Sequence, residues 1–403
     1  MTATDTKPSN TGPLAGLTVI EAGQLIAGPF CGQLLGDLGA TVIKLEPPRV
    51  GDPMRAWGRG APVWWEVIAR NKKSVSLDLR KPEGQAIARQ LIDGADFLIE
   101  NFRPGTLEGW GLAPATLHET NPGLIVVRMS GYGQSGPYSD RAGFGGIGEA
   151  MGGWRNIVGE PDRPPSRMGV SIGDSLAATY GCLGALAALE HRHRTGRGQV
   201  VDSALYEAVL QVMESLVPEY VATGEARERS GAILPGIAPS NVYPCSDGEY
   251  LIGGNGDGVF RRLCEAMGRP ELADDPRYVD HTSRGRNQTE LDRLIADWTR
   301  TLKVEQLEDL MTRHGVPAGR IYKPADMLAD PHFKAREAIV EMADHPRWPG
   351  IKMQNSFPRL SETPGSVRTI APQTVGQDNA DILGGLLGLD ADALARLEEA
   401  GVI

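Results

Sequence analysis

Cysteine is scarce in this 403-residue chain: only Cys31, Cys182, Cys245 and Cys264 are present. None stands in a CxxC or CxxH spacing and all have apolar neighbours, which argues against a disulfide scaffold or zinc site and for buried free thiols in a reducing cytoplasm. Positive charge is also in short supply. Lys+Arg 41 against Asp+Glu 51 leave a formal net charge of −10, and no basic run exceeds three residues. A nucleic-acid surface is therefore not expected. No apolar stretch approaches the roughly 18–20 residues of a membrane span. The first residues, MTATDTKPSNTGP, lack an apolar signal region, so the expectation is a cytoplasmic protein with no membrane association.

What is abundant is glycine. The 51 glycines are about 13% of the chain, against roughly 7% in an average protein, and they are spread among strongly apolar segments rather than in a disordered tract. At about 100–200 residues per domain the length allows two or three domains. GLTVIEA (16–22), TVIKLEPP (41–48), SVSLDL (74–79), ADFLIEN (95–101) and GLIVVRMSG (123–131) read as strands. Helices over 30–40 and 82–93 fall between them, and this alternation predicts an α/β fold on a Rossmann-like parallel sheet. Ten glycines between Gly131 and Gly159 predict a loop-rich site region. The apolar SLAATYGCLGALAALEHRHR (175–194) reads as a buried helix ended by Gly196, with a further helix from about Ser203. Residues 221–324 are Pro-punctuated and charged, with a short strand GEYLIGG (248–254) and amphipathic helices. The expected organisation is a flexible tail over 1–13, a large domain over 14–220, a smaller inserted α+β domain over 221–324, and a return to the large domain over 325–403.

Two motifs point elsewhere and fail on context. GYGQSG and GFGGIG match GxGxxG and the first follows a strand, but Pro137 and the polar YSDR stop the helix that a dinucleotide site needs, and no second strand with its acidic residue follows on time. GVSIG (169–173) matches a nucleophile elbow at Ser171, yet its lead-in RPPSRM is a poor central strand. Asp174, just before the buried helix, stands out instead. There a carboxylate accepts backbone N–H bonds and feels the positive helix end, with Gly169 and Gly173 leaving room for a substrate. The bland alternative is a structural N-cap.

Seven stretches in order, GLTVIEAGQLIAGP, ATVIKLEPPRVGDPMR, NKKSVSLDLRKPEG, ENFRPGTLEGWGL, SGYGQSGP, IGDSLAATYGCLGAL and TGRGQVVDSALYEAV, resemble the class III CoA-transferases. That family takes in formyl-CoA transferase, carnitine CoA-transferase and, more distantly, α-methylacyl-CoA racemase. The resemblance covers nearly the whole chain and is greatest to transferases that move CoA from succinyl-CoA to another dicarboxylic acid. It implies an interlocked homodimer and Asp174 as the nucleophile, acylated and then carrying CoA as a thioester. It also implies CoA contacts at Ala27, Leu77, Arg80, Asn101, Phe102 and Arg141. Lys72, Lys73 and Arg103 are further basic groups suited to the CoA phosphates, and Phe102 offers a face for adenine. Acyl-CoA enters as a substrate; no tightly bound cofactor and no metal is expected. Arg167, near Asp174 in sequence, is a candidate cation for the acceptor's second carboxylate, and Gly253 and Gly254 are candidate oxyanion donors. Pro47 and Gly109 replace arginines of formyl-CoA transferase, which turns the reading away from oxalate. No histidine lies between His118 and His191, which disfavours racemisation. The alternatives are a racemase-like enzyme, an acyl-CoA hydrolase, or a non-catalytic subunit of a heteromeric transferase.

Overall fold

The computed structural model describes residues 12–403; the tail expected over 1–13 lies, as far as Thr11, outside the described residues. The chain divides into two compact units. One holds the chain up to Trp154, Met168–Ser215 and Lys334–Ile403, and the other Arg155–Arg167 and Leu216–Phe333.

The first unit is built on six strands: β1 (Thr18–Glu21), β2 (Thr41–Glu46), β3 (Lys72–Ser76), β4 (Phe97–Glu100), β5 (Ile125–Ser130) and β6 (Val200–Ala204). Every neighbouring pair is parallel, in the order β3-β2-β1-β4-β5-β6. Successive side chains of a strand point to opposite faces, so each apolar strand feeds two cores. Ile20, Ile43, Val75, Leu98 and Val126 pack with Ile87 and Leu91 of helix α2 (Pro82–Asp93). Val19, Val42, Phe97, Ile99 and Val127 face Cys31 and Leu35 of α1 (Ala27–Asp37) and the long helix α4 (Ile172–Thr195).

Three expectations need correction. The glycine-rich stretch is not all loop, because α3 (Gly145–Met151) and a short helix Trp154–Ile157 form within it. Residues near Ser203 first complete β6, and only then begin α5 (Leu205–Leu210); five residues ending in Asp-Ser-Ala carry too little apolar signal to read as a strand. Third, α4 spans 24 residues and by length and composition alone is apolar enough to cross a membrane. The expected buried helix is buried on one face only: that face is seated on β5 and β6 by its glycines, while Leu183 on another is 60% exposed. A Cβ on Gly181 would lie 3.2 Å from Val127 Cγ1, and one on Gly184 only 2.5 Å from Val201 Cγ1.

The second unit is α+β. Antiparallel β7 (Ser240–Pro244), β8 (Glu249–Gly253) and β9 (Ala318–Arg320) pack with α6 (Asp257–Ala266), α7 (Gln288–Thr299) and α8 (Val304–His314). Tyr243, Ile252, Phe260, Leu263, Ile295 and Leu307 form its core. The segment Arg155–Arg167 belongs here too, tied by the Gly231 N–H donating to the Gly159 carbonyl at 3.0 Å. Cys31, Cys182 and Cys264 are buried and Cys245 half-buried, all as free thiols.

Candidate active site

An open parallel sheet binds ligands beyond the carboxyl ends of its strands, where the strand order reverses. Here the reversal lies between β1 and β4, and the two loops leaving those strands are stitched together. Asn101 Oδ1 accepts the Gln24 N–H at 2.8 Å, and Asn101 Nδ2 donates to the Gln24 carbonyl at 2.8 Å. A Cβ on Gly23 would fall 2.8 Å from Asn101 Oδ1, so the close approach depends on that glycine. Ala27 is buried in the first turn of α1. Phe102 is half-buried, its ring edge-on to Trp110 at 5.1 Å and its N–H donating to the Glu100 carboxylate at 2.7 Å.

Because all six strands are parallel, Leu77–Arg80 after β3 lies on the same edge, three strand spacings or roughly 14 Å from β4. Leu77 is core and its N–H donates to the Glu46 carbonyl at 2.7 Å, so neither its side chain nor its amide is offered to a ligand. Arg80 is exposed, with its guanidinium on Asp78 at 2.8 and 2.9 Å. Lys73 pairs with Asp381, and Arg103 is exposed. Lys72 overturns its expectation: its ammonium is fully buried against Glu21 at 2.6 Å and donates to the Pro29 carbonyl at 2.6 Å. It braces the fold and is out of reach of a phosphate. After β5 the chain turns through a loop closed at its neck, where a Cβ on Gly131 would fall 2.8 Å from Gly143 Cα. That loop carries Arg141, whose guanidinium lies 3.6 Å over the Tyr138 ring.

Helix α4 connects parallel neighbours β5 and β6 and so runs antiparallel to them, which brings its N-terminus to this same edge. The helix starts at Ile172 with Ser171 as its cap residue. Asp174 is therefore not the residue before the helix but the third residue within it, half-buried in the first turn. Gly145, the first residue of α3, packs directly on it: a Cβ there would lie 2.1 Å from Asp174 Oδ2. A Cβ on Gly173 would meet the Gly145 carbonyl at 2.9 Å and Glu149 Cγ at 3.5 Å. Gly145 and the buried Glu149 were missed as site residues in the sequence, although their i, i+4 spacing in GFGGIGEAM was the available signal once a helix is assigned there. No strand leads into Ser171, so the strained strand-to-helix turn of a hydrolase elbow is missing.

The remaining candidates lie in the second unit. Arg167 is exposed on its Arg155–Arg167 segment. Gly253 donates its N–H to the Pro317 carbonyl at 2.8 Å and Gly254 to the Pro239 carbonyl at 2.8 Å. Both amides are thus committed to the sheet and its flank, and in this conformation they do not serve as oxyanion donors. Among the described residues no group of three or more His, Cys, Asp or Glu is placed to hold a metal ion.

Comparison with known proteins identifies the family. A family described as CoA-transferase family III matches residues 14–379. A succinyl-CoA–D-citramalate CoA-transferase of Chloroflexus aurantiacus is 58% identical over 97% of this chain and 98% of its own. A succinate–glutarate CoA-transferase of Agrobacterium fabrum is 36% identical over 96% and 98%. Among solved structures, a CAIB/BAIF family protein from Brucella suis superposes with a TM-score of 0.82 at 36% identity, covering 93% of this chain and 99% of its own. With the family match running over most of its length and these relatives covered nearly end to end, the chain belongs to CoA-transferase family III.

Proposed function

We propose that this enzyme moves CoA from succinyl-CoA to a second dicarboxylic acid, with Asp174 as the group that is acylated. The observation that carries the reading is the half-buried Asp174 in the first turn of α4, on the edge shared by Ala27, Arg80 and Asn101. The choice of donor and acceptor class is drawn from the named activities of the citramalate and glutarate relatives.

An Asp174 carboxylate oxygen attacks the thioester carbonyl of succinyl-CoA; the C–S bond breaks, leaving a mixed anhydride and CoA thiolate. The thiolate attacks Asp174 Cγ and expels succinate, giving an aspartyl-CoA thioester. An acceptor carboxylate then attacks Cγ, releasing thiolate and forming a second anhydride. Attack of the thiolate on the acceptor's acyl carbon frees Asp174 and completes exchange without net proton transfer. A helix end contributes only about 0.3–1 kcal/mol to a nearby charge, whereas a single oxyanion donor contributes about 2.7–4 kcal/mol. The helix end is therefore the smaller contribution, and the rate depends on amides that face the tetrahedral oxygens.

Asp174→Ala is expected to abolish exchange in a coupled succinyl-CoA assay while leaving the melting temperature within a few degrees. Retained exchange would refute the reading. Arg167 is assigned to the acceptor's far carboxylate on its chemistry alone. Arg167→Leu is expected to raise KM for dicarboxylates far more than for monocarboxylates, and equal effects would remove the assignment. We further place the enzyme in the cytoplasm as a homodimer. In support, helix Leu216–Thr223 buries none of its residues and exposes Val217, Tyr220 and Val221, an apolar face suited to a second copy. Light scattering of the purified chain tests this, and a monomer would contradict it.

A further inference from the structure

The turn from β1 into α1 is held along its length by side chains from other parts of the sheet. Lys44, at 1% exposure, donates to the Gly23 carbonyl at 2.8 Å and pairs with Glu21 at 3.0 Å and Asp52 at 2.8 Å. Asn101 takes both backbone groups of Gln24. The Leu25 N–H donates to Asp52 Oδ1 at 3.1 Å, and Lys72 donates to the Pro29 carbonyl at 2.6 Å. Leu25 sits at φ 64°, a left-handed conformation that a leucine seldom adopts unless its surroundings enforce it. Asp52 is itself fixed, its N–H donating to Glu46 Oε2 at 2.9 Å and its Oδ1 accepting the Met54 N–H at 2.9 Å. Burial works against charge on both partners. Even so, Lys44 is held charged by Asp52, Glu21 and Glu46, and Asp52 is held ionised by Lys44 and the Met54 and Leu25 amides.

A buried pair with this much charge is a poor way to gain stability, since well-packed apolar residues often serve as well. What it does supply is a fixed backbone. We infer that the Lys44–Asp52 pair is a positioning device for the acyl-CoA-binding turn, setting CoA affinity by holding Leu25 left-handed without touching the ligand. This rests on the reading that the turn carrying Ala27 contacts CoA.

The test measures calorimetric Kd for free CoA, steady-state constants for succinyl-CoA, and melting temperature in the full-length enzyme. Asp52→Asn keeps the size and an acceptor oxygen but loses the charge. It is expected to weaken CoA binding and raise KM for succinyl-CoA about tenfold, with kcat within about twofold and the acceptor KM unchanged. Leu25→Gly added to Asp52→Asn restores most of the affinity, because glycine adopts the left-handed turn unaided; this double variant also serves if Asp52→Asn alone fails to fold. Arg80→Glu, on an exposed side chain, weakens CoA binding if this edge is the CoA site at all. Wild-type Kd in Asp52→Asn beside weak binding in Arg80→Glu overturns the inference and leaves the site intact. So does a folded double variant that still binds about tenfold more weakly. Wild-type binding in Arg80→Glu instead overturns the site on which the inference stands.

Discussion

Gly145 shows how narrowly the Asp174 carboxylate is housed. Its hydrogen lies where a methyl group would overlap Asp174 Oδ2, so Gly145→Ala must push that carboxylate aside. A displacement of about 1 Å can cost about 100-fold in rate. The expected result is a loss of that order in kcat with little change in urea midpoint; a variant of normal activity would show that the carboxylate reacts from another rotamer. Glu100, one residue before Asn101, makes a second prediction. Burial pushes its carboxyl up to about 7, with Arg128 pulling the other way. A carboxyl raised in the folded state contributes stability below its unfolded pKa and loses it as pH rises through the folded value. The wild-type melting temperature should therefore fall relative to Glu100→Gln between about pH 5 and about pH 8, and parallel curves would contradict this shift.

At the scale of elements, α4 does two tasks with one set of small residues. Its glycines let it settle on β5 and β6, and that seating carries Asp174 to the carboxyl edge. Gly184→Val would drive a branched side chain into Val201 and is expected to cost about 1–3 kcal/mol in urea unfolding; an unchanged midpoint would show that the seam can open. Five of the six strands and α2 were legible, because continuous apolar runs and the Lys-Pro-Glu entry to α2 state themselves locally. β6 was not, since its Val-Val-Asp-Ser-Ala gains strand character only by pairing with β5. The start of α4 was misplaced by three residues because Gly173 hides a helical turn, and α3 was missed for the same reason at Gly145, Gly146 and Gly148. Lys72 looked like half of a surface lysine pair, and nothing local shows that Glu21 waits beneath it.

Across the whole molecule, the chain's end closes the first unit. Val402 and Ile403 are buried with Leu77 and Leu79, and the Asp78 N–H donates to the Val402 carbonyl at 2.8 Å. Fully burying an aliphatic side chain contributes about 1.5–3 kcal/mol, so removing both residues should cost about 3–6 kcal/mol and loosen Leu77–Arg80. Denaturant unfolding of the shortened chain measures this, and unchanged stability would place the end outside the core. The glycine excess also has a place at this scale: Gly23 lets Asn101 in, Gly145 lets Asp174 in, and Gly181 and Gly184 seat the helix between them. The central claim is covalent chemistry on Asp174, and the direct measurement is peptide mass spectrometry after incubating the enzyme with succinyl-CoA and hydroxylamine. The expected product is a hydroxamate on Asp174 that forms only when acyl-CoA is present. An unmodified Asp174 peptide, or a modification on Ser171 in its place, would contradict it.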